Sequence, residues 1–134
     1  MTIYTNDNEK MVSIGSATIL FSVYSTVKVL LKRYSKQIEL AEGFLQSGNC
    51  RSKDAIETAR QINLIRDHLS RFSPDKAVWD YRDKSISAPW KCNLSPIVTS
   101  CSNLYTTADG KDLLFELVAI LTYAGYKGLD VIAS

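Results

Sequence analysis

The side chains with the widest chemical reach in this sequence are one histidine, three cysteines and a short run of alternating charge. His68 is the only imidazole, and Leu64, Ile65 and Phe72 stand at helical spacing from it. Neither a second imidazole nor a nearby thiolate completes a metal set, so His68 reads as a structural or surface residue. Cys50, Cys92 and Cys101 are odd in number, at spacings that match neither a disulfide framework nor a zinc motif. A nucleophilic thiol needs a neighbour that lowers its pKa. Only Arg51 and Lys91 stand close in sequence, so reduced, inert cysteines are expected. Ser95, Ser100 and Ser102 lack a Gly-x-Ser-x-Gly elbow and any histidine near in sequence to serve as a base. The six glycines are scattered, and no phosphate-cradling loop is formed. The expectation is a chain without catalytic residues, metal or cofactor.

Two charged groups remain as candidate contact surfaces. Asp80 and Asp83, three residues apart beside Arg82 and Lys84, could hold a cation or act as acid and base if their loop closed over a pocket. A solvated charged loop is the plainer reading. Both aspartates lie within the segment Trp79–Trp90, shortly after Asp75, and that segment combines large apolar anchors with charges of both signs, as a recognition loop does. Trp79 and Trp90 could equally close a loop-rich face of the core. The second group is Lys28, Lys32 and Lys36, repeated every four residues with Arg33 nearby. It is either a patch that seeks phosphate or acidic side chains, or the wet side of an amphipathic helix. A small nucleic-acid-binding module using this basic helix face is therefore the alternative function, although no aromatic platform for bases accompanies it.

The elements that must position these groups follow from periodicity. The 134 residues are 46% apolar and 22% charged with a net charge of +2, the balance of one folded domain whose global charge steers it to neither nucleic acid nor membrane. Residues 1–10 lack apolar periodicity and are expected to be a flexible N-terminus, leaving 11–134 as the single domain. No secretory signal is evident at the start, and Val12–Leu31 is interrupted by Ser13, Gly15, Ser16, Ser22, Ser25 and Lys28, so no membrane span is expected. Met11–Ile14 reads as the first strand. Leu20, Val23, Tyr24, Val27, Leu30, Leu31 and Tyr34 mark one side of a helix that Ser16 or Thr18 caps. Gln37–Leu45 predicts a second helix and 53–72 a third, with Ile56, Ala59, Ile62, Ile65, Leu69 and Phe72 on one face, closed by Ser73-Pro74. Residues 73–100 are irregular, with a strand core only at Ala77–Trp79. Asn103–Thr106 is expected to be extended. Asp109 then caps a helix over the run from Leu113 to Ala124, apolar on nearly all sides and therefore buried, and Gly125 ends it. Leu129–Ala133 predicts a last strand, free to pair with the first. The fold class is α+β: a single small domain of about four helices packed on a small sheet that includes the N-terminal and C-terminal strands.

The order of the Gly15-Ser16 turn, Val78-Trp79-Asp80, Pro89-Trp90, Thr99-Ser100, Thr107-Ala108-Asp109-Gly110 before an apolar helix, and Gly128 before a last strand resembles bacterial immunity proteins. More narrowly it is similar to the immunity protein 70 family, which accompanies polymorphic toxins including those of contact-dependent growth inhibition. The resemblance covers about residues 11–133. It implies a cytoplasmic antidote that binds the C-terminal domain of a cognate toxin and blocks its active site or substrate access, with no catalysis and no nucleic acid or membrane partner. Immunity surfaces must discriminate among related toxins, so the shared residues are expected to be structural and specificity to lie outside them. Immunity proteins against nucleases often present acidic surfaces, whereas this chain is mildly positive. Asp75, Asp80 and Asp83, with Arg82, are therefore the preferred partner-binding group, and Lys28, Lys32, Arg33 and Lys36 the alternative that suits an acidic toxin.

Overall fold

The computed structural model describes residues 1–90 and 94–134. Alternation of buried and solvent-facing side chains builds the sheet. In β1 (Thr2–Thr5) Ile3 and Thr5 are buried; in β2 (Met11–Ser13) only Val12 is; in β3 (Val131–Ala133) Val131 is. The strands are antiparallel in the order β2-β1-β3, with Ile3 opposite both Val12 and Ala133, and Thr5 opposite Val131. Thr2 and Ser134 exchange both backbone hydrogen bonds at 2.9 Å.

The middle strand therefore comes from residues expected to be a flexible terminus, and β3 pairs with it and not with the strand at residues 11–13. Two features hold β1 in place. Ile3 is fully buried. The Thr5 hydroxyl donates to Asp7 Oδ1 at 2.7 Å and accepts the Lys10 N–H at 3.2 Å, so a buried polar residue costs little in unmet hydrogen bonds. Asn8 makes the turn to β2 with a φ of +63°, a region asparagine tolerates better than most residues.

Helix α1 (Ala17–Leu30) starts where the extended Ser16 accepts the Thr18 N–H on its hydroxyl at 3.2 Å. It buries Leu20, Val23, Tyr24 and Val27 and gives way to a tighter 3₁₀ stretch, Lys32–Gln37. Helix α2 (Glu39–Ser47) buries Ala41, Phe44 and Leu45 and ends on Gly48 at φ +78°, where a Cβ would stand 2.6 Å from that of Ala133. Helix α3 (Ser52–Leu69) buries Ala55, Ala59, Ile62, Ile65 and Leu69, while Ile56, expected on that face, is 43% exposed. Helix α4 (Leu113–Lys127) buries Leu113, Leu114, Leu117, Ile120, Leu121 and Ala124. It packs most closely on α3, and the sheet rests against it, so helices and sheet share one core. Among the described residues no helix is long and apolar enough to cross a membrane.

The α4 boundaries correct two sequence expectations. Its cap is Asp112, which accepts the Phe115 N–H at 3.3 Å, because Asp109 is already engaged by the Thr107 hydroxyl at 2.5 Å in the preceding turn. It ends on Gly128 at φ +68°, and Gly125 stays helical beneath α3, where a Cβ would meet Ile56 Cγ1 at 2.4 Å. Nor is α4 buried all round: Phe115 and Tyr126 are exposed. No strand forms at Ala77–Trp79, and in the Asn103–Thr106 stretch only Thr106 makes a single bridge, to Asp112.

Candidate functional site

The long connection from α3 to α4 crosses the outer side of α1 and is pinned there by buried hydroxyls. The Val78 N–H donates to Thr26 Oγ1 at 2.9 Å, and Thr26 Oγ1 stands 2.8 Å from the Tyr105 hydroxyl. That hydroxyl lies 2.9 Å from Ser22 Oγ, which donates to the Val78 carbonyl at 3.0 Å. Thr26 Oγ1 is also 3.1 Å from the Val78 carbonyl, and either hydroxyl of each pair can donate, so the contacts close into a ring linking Val78, Thr26, Tyr105 and Ser22. Two polar residues in the middle of α1 are thereby satisfied by the loop they hold. Burial pushes the Tyr105 phenol up to about 12, against the opposing pull of its bonds to Ser22 and Thr26.

Aromatic rings extend this anchor to the surface. Trp90 packs edge-on to Tyr105 with centroids 5.8 Å apart, and Trp79 edge-on to Trp90 at 5.2 Å. Both tryptophans are half-buried, so they close the loop-rich face and also line a hollow of about 310 Å³ with Val78, Ile86 and Leu94. Asp75 and Lys84 also line it. Ile86 is 46% and Ile97 80% exposed, on a segment whose root is fixed. Beyond Trp79, Tyr81 packs against Phe21 and Tyr24 of α1 at 5.8 and 5.9 Å, while the Arg82 guanidinium lies over Phe21 at 4.8 Å.

The charged residues singled out from the sequence separate by role. Arg82 donates from Nε and Nη2 to the two carboxylate oxygens of Asp80 at 3.0 and 2.9 Å, and its backbone N–H adds a third bond at 2.8 Å. The Arg82 side chain, followed by that backbone N–H, holds the Asp80 carboxyl below its usual range. Asp83 is lowered by the hydroxyl and then the N–H of Ser85, and Asp75 by the hydroxyl of Ser73. Asp80 and Asp83 are therefore both engaged by local donors, Asp80 by Arg82 and Asp83 by Ser85. Asp75 reaches the hollow.

The basic stripe does not survive as one face. Helix α1 ends at Leu30, so Lys28 stands on an α-helix, whereas Lys32, Arg33 and Lys36 belong to the 3₁₀ stretch, which turns 120° per residue. Lys28 instead lies over the Tyr81 and Tyr24 rings at 5.1 and 5.8 Å, which joins it to the loop face. Arg33 covers Tyr34 at 5.5 Å, and Tyr34 stacks on His68 at 3.9 Å with planes 18° apart. His68 Nδ1 is 3.3 Å from Arg71 Nη1. The Cys101 thiol donates to the Ser73 carbonyl, and burial pushes it up to about 11; burial also raises Cys50. Neither is an activated nucleophile. Cys92 and Lys91 lie outside the described residues. Among the described residues no group of three His, Cys, Asp or Glu could hold a metal ion. The Ser22, Thr26 and Tyr105 anchors were missed from sequence; their signal is a Ser-x-x-Ser-Thr polar set inside the apolar face of a helix.

The fold and the site together define a small α+β domain with an apolar, mixed-charge loop fixed on its surface. The family model described as Immunity protein 70 matches residues 3–132, nearly the whole chain, and the protein belongs to that family. No curated protein and no solved structure matches it.

Proposed function

We propose that this chain is a cytoplasmic antidote that binds the C-terminal domain of one cognate toxin and covers its active site or the path of its substrate, with no catalysis of its own. Family membership carries the reading, since immunity proteins have toxins as partners. The loop face supports its location: the Trp79–Trp90 hollow offers the desolvated pocket that a partner's anchor residue fills, inside a rim of both charges. Within the aspartate group, Asp75 and Asp83 meet basic toxin side chains, and Asp80 sets the direction of Arg82. The system is of the contact-dependent growth inhibition kind.

The test is co-purification of the tagged chain from its native host through a moderate-salt wash, with mass spectrometry of what remains. One stoichiometric partner corresponding to the C-terminal domain of a large secreted protein is expected. Ile86→Glu and the triple variant Asp75→Ala, Asp80→Ala, Asp83→Ala are then compared for affinity. Loss of at least about tenfold in both locates the interface on the loop; unchanged affinity in both removes it from there, and recovery of nucleic acid alone rejects the toxin reading.

A further inference from the structure

Three parts of the lining of the loop-face hollow are held by hydrogen bonds made elsewhere. Val78 is pinned by the Thr26 and Ser22 hydroxyls. Asp75 sits in the short 3₁₀ turn Pro74–Lys76, where its carboxylate accepts the Ser73 hydroxyl, and the Ser73 carbonyl accepts the buried Cys101 thiol at 3.2 Å. Lys84 sits in a second turn, closed by the Ile86 N–H on the Asp83 carbonyl at 3.2 Å. A recess whose walls are set before binding spares a partner the cost of ordering them. We infer that it receives the side chain of a tyrosine from the toxin.

Size, ring packing and charge each narrow the occupant. The volume of about 310 Å³ is at the lower end of the range for ligand pockets, about 300–1,000 Å³, and suits one large side chain. Tyr105, Trp90 and Trp79 make a series of edge-on contacts, at 5.8 and 5.2 Å, that runs from the core to the hollow, so a further aromatic ring continues an arrangement already present. The polar groups of the lining then choose among aromatic residues. Asp75 offers a carboxylate acceptor and Lys84 an ammonium donor, and neither belongs to an ion pair among the described residues. A phenol hydroxyl donates to the first and accepts from the second. An indole N–H only donates, and a phenylalanine ring does neither, which leaves one or both charges desolvated without a partner. A basic side chain inside the hollow meets Asp75 but is opposed by Lys84. A carboxylate has about four acceptor positions; with one used by Ser73 and one by the phenol, others stay open to the basic toxin side chain outside the hollow. The partner's identity rests on the toxin reading, and the occupant adds the residue that anchors it.

Titration of N-acetyl-tyrosinamide into the full chain, followed by NMR of the indole N–H signals, tests it without the toxin. The chain has two tryptophans and both line the hollow, so both signals report on it. Saturable shifts of the two signals are expected, with a Kd of about 1–20 mM, the strength that a side chain of this size supplies. N-acetyl-phenylalaninamide should bind at least about fivefold more weakly. Asp75→Ala and Lys84→Ala, both at exposed positions, should each weaken the tyrosine amide at least about threefold while the rest of the spectrum stays in place. Absence of saturable shifts up to about 50 mM, equal binding of the phenylalanine amide, or tighter binding of N-acetyl-argininamide overturns the tyrosine occupant. Those outcomes leave the co-purification result standing, whereas a chain that binds the tyrosine amide as described but recovers no toxin keeps the occupant and loses the toxin reading.

Discussion

Replacing Thr26 with valine keeps the shape of the side chain and nearly the same helix propensity, but it opens the hydrogen-bonded ring at two places. The Val78 N–H loses its acceptor at 2.9 Å and the Tyr105 hydroxyl loses its neighbour at 2.8 Å. The hydroxyls of Thr26 and Tyr105 are buried, so little water replaces what is lost. An unmet buried N–H costs about 1–3 kcal/mol and a lost neutral hydrogen bond about 1, which together predict about 2–3 kcal/mol. In a domain of this size each kcal/mol lowers Tm by roughly 4 °C, so a drop of about 10 °C is expected in calorimetry. Tyr105→Phe opens the same ring elsewhere. The double variant should then cost less than the sum of the singles by about 1 kcal/mol. Denaturant melts of the four proteins give that coupling. A Thr26→Val protein within about 0.5 kcal/mol of the parent, or two strictly additive variants, would show that the loop is not held by these hydroxyls.

Gly125→Ala should destabilise the parent despite the better helix propensity of alanine, since the new Cβ meets Ile56 Cγ1 and Cδ1 at 2.4 and 2.5 Å. In an Ile56→Ala background the sign should reverse, and urea midpoints of the four proteins report it. Stability should also fall on the alkaline side through Tyr105. Its folded pKa of about 12 exceeds the ordinary value of 10.0, so the unfolded chain releases the proton first and stability drops between about pH 10 and 12. Tyr105→Phe removes that contribution, seen as a shallower slope of unfolding free energy against pH in that interval.

Much of the helical frame was legible because its signals are local. Ser16 before an apolar stripe marked the start of α1, and Ala59, Ile62, Ile65 and Leu69 drew the inner face of α3 at the correct spacing. Errors arose where distant residues decide. β1 has one fully buried large apolar side chain, Ile3, and its place in the sheet depends on β3, more than a hundred residues away. Gly125 and Gly128 offer equal stop signals to a local reading, and the close approach of Ile56 is what assigns one to the interior and the other to the cap. Asp109 and Asp112 pose the same choice, decided by Thr107. At the candidate site the loop and its tryptophans were legible as an unusual segment. Its anchorage was not, since Ser22 and Thr26 acquire a purpose only when Val78 and Tyr105 arrive beside them.

The position of β1 also bears on the order in which the molecule is assembled. Residues 2–5 pair with β2 across a short turn, a contact within reach as soon as both have left the ribosome. Their pairing with β3 closes nearly the entire chain and carries the large entropy cost and slow formation of a distant contact. Until residues 131–133 are made, one side of β1 keeps its N–H and C=O groups unpaired, as an adhesive edge beside the apolar Ile3. A chain cut short before Val131 keeps every helix but leaves that edge open.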